Sequence, residues 1–238
     1  MATFLLIHGS WHGAWCWERL VPRLEERGHR AAAIDLPAHG ADTTPAYRAT
    51  LGSYSRRVRA EAARLGEKPI LVGHSMGGMV VSQAAADAPD AVSALVYVCA
   101  FAPLPGESVA QLARLDSRSL VAAGIALGLS GFRVRPERAK AMFYAACTDA
   151  DADWASQQLC ADPALPLVQR LQQRSSHALP PAYIECTGDQ AISIERQRAM
   201  ADPITLAGRA SMDSDHSPFL SAPEELAAHL HAMASRVG

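Results

Sequence analysis

Five residues, Gly73-His74-Ser75-Met76-Gly77, place a serine between small residues in the pattern G-x-S-x-G. An apolar run, Pro69 to Val72, leads into the pattern, and a stretch rich in small residues follows it. That context predicts a sharp strand-to-helix turn with Ser75 at its tip, the glycines removing side chains that would clash. A serine hydroxyl is a poor nucleophile until a base takes its proton. Nine histidines compete for that role. On such an elbow the chain order is nucleophile, then acid, then histidine. His8, His12, His29, His39 and His74 come too early, His177 closes a long inserted stretch, and His229 and His231 fall inside the last helix. His216 remains, in Asp213-Ser214-Asp215-His216-Ser217-Pro218, a loop between the last strand and the last helix. The acid should stand at the end of another strand, where it can orient the imidazole and stabilise its charged form. Asp189 follows the apolar run Ala182 to Thr187 directly. Asp213 and Asp215 share the histidine's own loop and are expected to shape it, while Asp35 is expected to cap the turn after its strand. Two backbone N–H groups should face the developing oxyanion: Met76, at a helix N-terminus, and Ser10, in the loop after the first strand.

Stepping outward, the elements that must hold these residues alternate. Phe4–Ile7, Ala31–Leu36, Pro69–Val72 and Val92–Phe101 read as buried strands. Helical spacing separates them at Trp15–Arg27, Leu51–Leu65 and Gly77–Ala88. Four such alternations predict a parallel sheet covered on both faces by helices, an α/β class. Between about 103 and 179 the rhythm stops. Helical segments are expected at Val109–Leu115, Pro136–Cys147, Trp154–Leu159 and Leu165–Gln173, with no convincing strand, so this stretch is read as a helical cap inserted into a core of 1–102 and 180–238. The alternation resumes with a strand at Ala182–Thr187, a helix around Ser193–Met200 and a short strand near Ile204–Ala207. A last helix starts near Ser221, whose side chain is expected to cap it.

Composition narrows the chemistry. A chain of 238 residues, 49% hydrophobic and 19% charged, can build one core. The formal net charge of -2 offers no basic face for nucleic acid. Five cysteines without a C-x-x-C pair argue against a disulfide framework and against thiolate zinc. No metal is expected elsewhere: His8 and His12 flank a glycine loop, and His229 and His231 point apart on a helix. No segment is long and apolar enough to span a membrane, and the opening residues read as a cytoplasmic start.

The chain resembles the α/β-hydrolases, in the branch of plant methylesterases, plant hydroxynitrile lyases and related bacterial esterases. The resemblance rests on Leu6-Ile7-His8-Gly9-Ser10-Trp11-His12-Gly13-Ala14-Trp15, Asp35-Leu36-Pro37-Ala38-His39-Gly40, Gly73-His74-Ser75-Met76-Gly77-Gly78 and Asp215-His216-Ser217-Pro218. It implies a triad at Ser75, Asp189 and His216, oxyanion donors at Ser10 and Met76, a mostly parallel six-stranded sheet flanked by helices, a helical cap and, in many members, a homodimer. The lyases of this branch carry Thr where this chain has Gly9, and Lys where it has Ser217. A serine carboxylesterase acting on a small-molecule ester without cofactor is therefore the leading expectation. A C–C lyase and a non-catalytic receptor are the alternatives. Trp11, Phe143, Tyr144 and Trp154 are the aromatic candidates for lining its pocket.

Overall fold

The computed structural model describes residues 1–172 and 180–237; His177, at the expected end of the insertion, lies outside them. Six parallel strands form the main sheet: β1 (Thr3–Ile7), β2 (Arg30–Ile34), β3 (Ile70–His74), β4 (Ala94–Val98), and later β7 (Ala182–Cys186) and β8 (Gly208–Met212). Their spatial order is β2-β1-β3-β4-β7-β8. Side chains alternate across a strand, and both faces are covered here. Phe4, Leu6, Val72, Val96 and Ile184 join one apolar cluster, with α1 (Leu20–Glu26) and the C-terminal α11 (Pro223–Val237) on that side. Leu5, Ile7, Leu71, Leu95 and Tyr183 join the other, beneath α2 (Leu51–Leu65), α3 (Gly77–Asp87) and α9 (Ile194–Ala201).

Between β4 and β7 the chain leaves the sheet. It forms α4 (Val109–Arg114), α5 (Val121–Gly124), the antiparallel pair β5 (Ile125–Gly128) and β6 (Gly131–Val134), α6 (Pro136–Phe143), α7 (Asp149–Gln158) and α8 (Ala164–Val168). The hairpin corrects the expectation of helices alone. Its strands are four residues long and only partly buried, so no alternation shows in the sequence. Gly131 is required there: at φ +121° it lets Asp162 bridge to Phe132, and a Cβ would lie 2.0 Å from the Asp162 carbonyl oxygen.

Other boundaries moved for identifiable reasons. The helix expected over Trp15–Arg27 is a 3₁₀ turn, Ala14–Trp17, followed by α1, because Pro22 can sit only in a first helical turn. The last strand lies at Gly208–Met212 instead of Ile204–Ala207. It is an edge strand whose Arg209 faces Glu185 and Asp202, so it carries no apolar run. Helix α7 starts at Asp149, earlier than Trp154, because the Thr148 hydroxyl caps it. Ser221 does not cap the final helix. It closes a short turn of helix, α10 (Pro218–Ser221), and its hydroxyl donates to Asp215.

Candidate active site

β3 ends against the elbow expected from its glycines. Ser75 sits at φ +53°, a left-handed conformation that a serine adopts only under restraint. The restraint is packing at backbone distance. A Cβ on Gly73 would lie 2.7 Å from the Gly77 carbonyl oxygen, and one on Gly77 would lie 2.6 Å from that of Ile7. Phe101, beyond β4, locks the turn by donating its N–H to the Ser75 carbonyl at 3.0 Å. Met76 then caps α3, an eleven-residue helix whose positive end faces the serine.

Asp189 and His216 come from the loops beyond β7 and β8. Asp189 is buried and oriented on both oxygens: Oδ1 accepts the N–H groups of Ala191 (2.7 Å) and Ile192 (2.9 Å), and Oδ2 accepts from Gln197 (3.2 Å). Oδ2 also meets His216 Nδ1 at 2.7 Å. A carboxylate can only accept, so Nδ1 holds the proton and Nε2 keeps its lone pair. The backbone of the histidine is held as well, since His74 Nε2 donates to the His216 carbonyl at 2.7 Å. Burial pushes the His74 imidazole well below its usual pKa, which keeps it a neutral wedge between His216 and Phe219.

The other acids are employed elsewhere. Asp215 accepts from Ser217 N–H (3.0 Å), Ser221 Oγ (2.8 Å) and, across to the insertion, Ala146 N–H (2.9 Å). Asp213 accepts from Thr187 Oγ1 at 3.2 Å. Asp35 takes the N–H groups of Ala14 (2.7 Å) and Ala41 (3.0 Å), bracing two loops.

Ser75, Ser10 and His216 open onto one cavity of about 270 Å³. Trp11 and Phe143 line it, with Phe132, Val121 and Val168 from the insertion and Phe101 from the sheet side. Trp154 does not: its ring stands edge-on to Trp15 at 5.4 Å, packing the insertion onto the 3₁₀ turn. Tyr144 does not line the cavity either; it is fully buried, with its hydroxyl against His12. Among the described residues neither the Ser10 N–H nor the Met76 N–H has a protein acceptor. Ligand atoms of His74, Cys99 and His216 fall within 4.8 Å of one another. A metal there would compete with the Asp189 and carbonyl contacts just described. Sequence reasoning missed His74, His8 and His12 as neighbours of the site. The available signal was a polar His8 closing the apolar run Phe4–Ile7, since a buried imidazole must find partners.

The model of the alpha/beta hydrolase family matches residues 4–229, and the chain belongs to that family. Methylesterase 2 of Arabidopsis thaliana is 32% identical over 97% of this chain and 95% of its own. A crystal structure of the methylesterase MES16 from Arabidopsis superposes with TM-score 0.84 at 26% identity, covering 99% of each chain. A pyrethroid hydrolase from Sphingobium faniae JZ-2 does so with TM-score 0.84 at 26% identity, over 98% of this chain and 97% of that one. The chain therefore falls among family members named as carboxylic ester hydrolases. No helix among the described residues is long and apolar enough to cross a membrane.

Proposed function

We propose that the protein is a serine carboxylesterase for small to medium apolar esters, with Ser75, His216 and Asp189 as its triad. The observation that carries the reading is the oriented Asp189–His216 pair at 2.7 Å, opening onto the same cavity as the strained Ser75. Ser75 Oγ attacks the ester carbonyl while His216 Nε2 takes its proton. The oxyanion is received by the unoccupied N–H groups of Ser10 and Met76. His216 hands the proton to the departing alkoxide, and water then cleaves the acyl-enzyme with the same base. The aromatic walls, Trp11, Phe132 and Phe143, suit a flat or bulky group on the acyl or alcohol side. Methyl and aromatic esters are the first to try, given relatives named for methyl esters and pyrethroids.

Two residues favour ester over cyanohydrin cleavage. Ser217, next to His216, is buried and uncharged, so the position after the histidine offers no cation for a cyanide leaving group. Gly9 packs so tightly that a Cβ would lie 2.6 Å from the Ser75 Cβ, which leaves no room for the lyase threonine on this backbone. The expected outcome is prompt hydrolysis of p-nitrophenyl butyrate, abolished in Ser75→Ala, with a fluorophosphonate label mapping to Ser75. No cyanide should be released from mandelonitrile above background. A label on another serine, or cyanide release matching ester turnover, would overturn the reading.

A further inference from the structure

Two histidines outside the triad sit on the loop that leaves β1, and the proposed reaction uses neither as a base. His8 is fully buried, and the Leu36 N–H donates to its Nε2 at 3.1 Å. Nε2 is therefore a lone pair, and the proton lies on Nδ1, which donates to the Gly9 carbonyl at 2.8 Å. Across a planar trans peptide the Gly9 carbonyl and the Ser10 N–H point in opposite directions. Fixing the first aims the second.

His12 repeats the device one peptide further on. The Ser10 carbonyl can only accept, so the His12 Nδ1 that lies 2.8 Å away carries a proton. His12 Nε2 then accepts, and the hydroxyl of Tyr144, at 2.9 Å, donates to it. Burial lowers the His12 pKa to about 3, so the ring stays neutral and this tautomer persists. Trp15 stacks on it at 5.3 Å. The next residue, Trp11, stands at φ +64° and is pinned to the insertion at both ends: its indole N–H donates to the Phe132 carbonyl at 3.1 Å, and its own carbonyl accepts the Cys160 N–H at 2.9 Å.

We infer that His12, held in its Nδ1–H form by Tyr144 of the inserted cap, is a positioning residue that anchors the Ser10 carbonyl, so that Ser10, whose N–H on the preceding peptide is the oxyanion donor, is held on both sides, by His8 and by His12. The cap thus does more than wall the cavity, because its hydroxyl fixes the tautomer that anchors the peptide next to a reacting N–H. The inference rests on the esterase reading and reaches beyond it, to how the oxyanion hole is kept in register.

The test measures kcat and KM for p-nitrophenyl butyrate, together with inhibition by a trifluoromethyl ketone, whose serine adduct carries the oxyanion. Tyr144→Phe is nearly isosteric and should fold. It should lower kcat about tenfold with KM within about twofold, a fraction of the loss expected for removing a donor outright, and weaken the ketone by a similar factor. His12→Asn keeps an N–H near the Nδ1 position and should stay within about fivefold of wild type, whereas His12→Leu, with no donor, should lose about a hundredfold. A Tyr144→Phe enzyme with wild-type kcat and ketone affinity would overturn the inference, as would losses confined to KM or Asn faring no better than Leu. If His12→Leu does not fold, the Tyr144→Phe and His12→Asn results decide. Wild-type protein without Ser75-dependent hydrolysis would instead overturn the esterase reading, and this inference with it.

Discussion

Asp189 and Asp215 are both buried carboxylates beside His216, yet their partners differ in kind. Asp189 meets the imidazole itself, while Asp215 gathers backbone N–H groups and a hydroxyl. Asp189→Asn should therefore reduce kcat by up to about ten-thousand-fold, because an amide favours the wrong imidazole tautomer. Asp213→Asn should be close to wild type. Asp215→Asn should act mainly on stability, since its new amide N–H₂ would face donors already aimed at that position. Kinetics with thermal melts on the three variants separate these roles, and a crippled kcat in Asp213→Asn would displace Asp189 as the acid. The placement of Ser75, Asp189 and His216 in loops that follow strands of one sheet was legible from their order along the chain. The hydrogen bond from Tyr144 to His12 was not, because it joins residues 132 positions apart that no local pattern relates.

Among elements, the strands buried on both faces announced themselves as unbroken apolar runs, and β1, β3, β4 and β7 were found within a few residues of the sequence reading. The far edge strand, β8, and the cap strands did not, whereas the other edge, β2, was found from its alanines. β8 alternates buried and exposed residues over Gly-Arg-Ala-Ser-Met, and β5 and β6 are too short for any period to show. The elbow gives a sharp test of element-level packing. A Cβ on Gly78 would lie 2.2 Å from the Phe101 carbonyl oxygen, on the segment that also locks Ser75. Gly78→Ala should cost about 1–3 kcal/mol, the usual range for overpacking a tight site. Gly52, in the first turn of α2, has no neighbour nearer than 3.7 Å, and Gly52→Ala should stabilise by up to about 1 kcal/mol. Urea unfolding of both would show opposite signs; a neutral Gly78→Ala would mean that the elbow has slack.

At the scale of the whole molecule, the buried histidines tie stability to pH. His8, His12, His29 and His74 all have pKa values lowered from 6.5, with burial the leading cause in each. The folded form keeps them neutral while the unfolded chain protonates them, so below about pH 6.5 the unfolded state binds more protons. Stability should fall from there downward, by up to about 1.4 kcal/mol per pH unit for each group still neutral in the fold. Glu61 and Glu185, whose ion pairs with arginines lower their pKa values from 4.5, add to the loss only at lower pH. Unfolding free energies should therefore decline between pH 7 and 5, before any carboxylate titrates appreciably. A flat profile over that window would mean that these histidines are already protonated in the fold. The architecture at this scale followed from the order of apolar runs, whereas the joining of insertion to core depends on pairs such as Trp11–Phe132 and Asp215–Ala146 that only the assembled molecule brings together.

The pairing of β4 with β7 bears on how the molecule is made. Tyr183 donates its hydroxyl to the Ala100 carbonyl, joining residues 83 positions apart, and the whole insertion lies between them. A ribosome that has released β1 to β4 has delivered the elbow and the Ser10 loop but neither Asp189 nor His216. On the proposed triad, the nascent chain thus holds its nucleophile without a base. Closing so long a loop costs little more than closing one half its length, and the reactive set is completed only when the last two strands dock. With those roles, synthesis itself is the safety catch: an esterase built on this triad arms only when its last strands are in place.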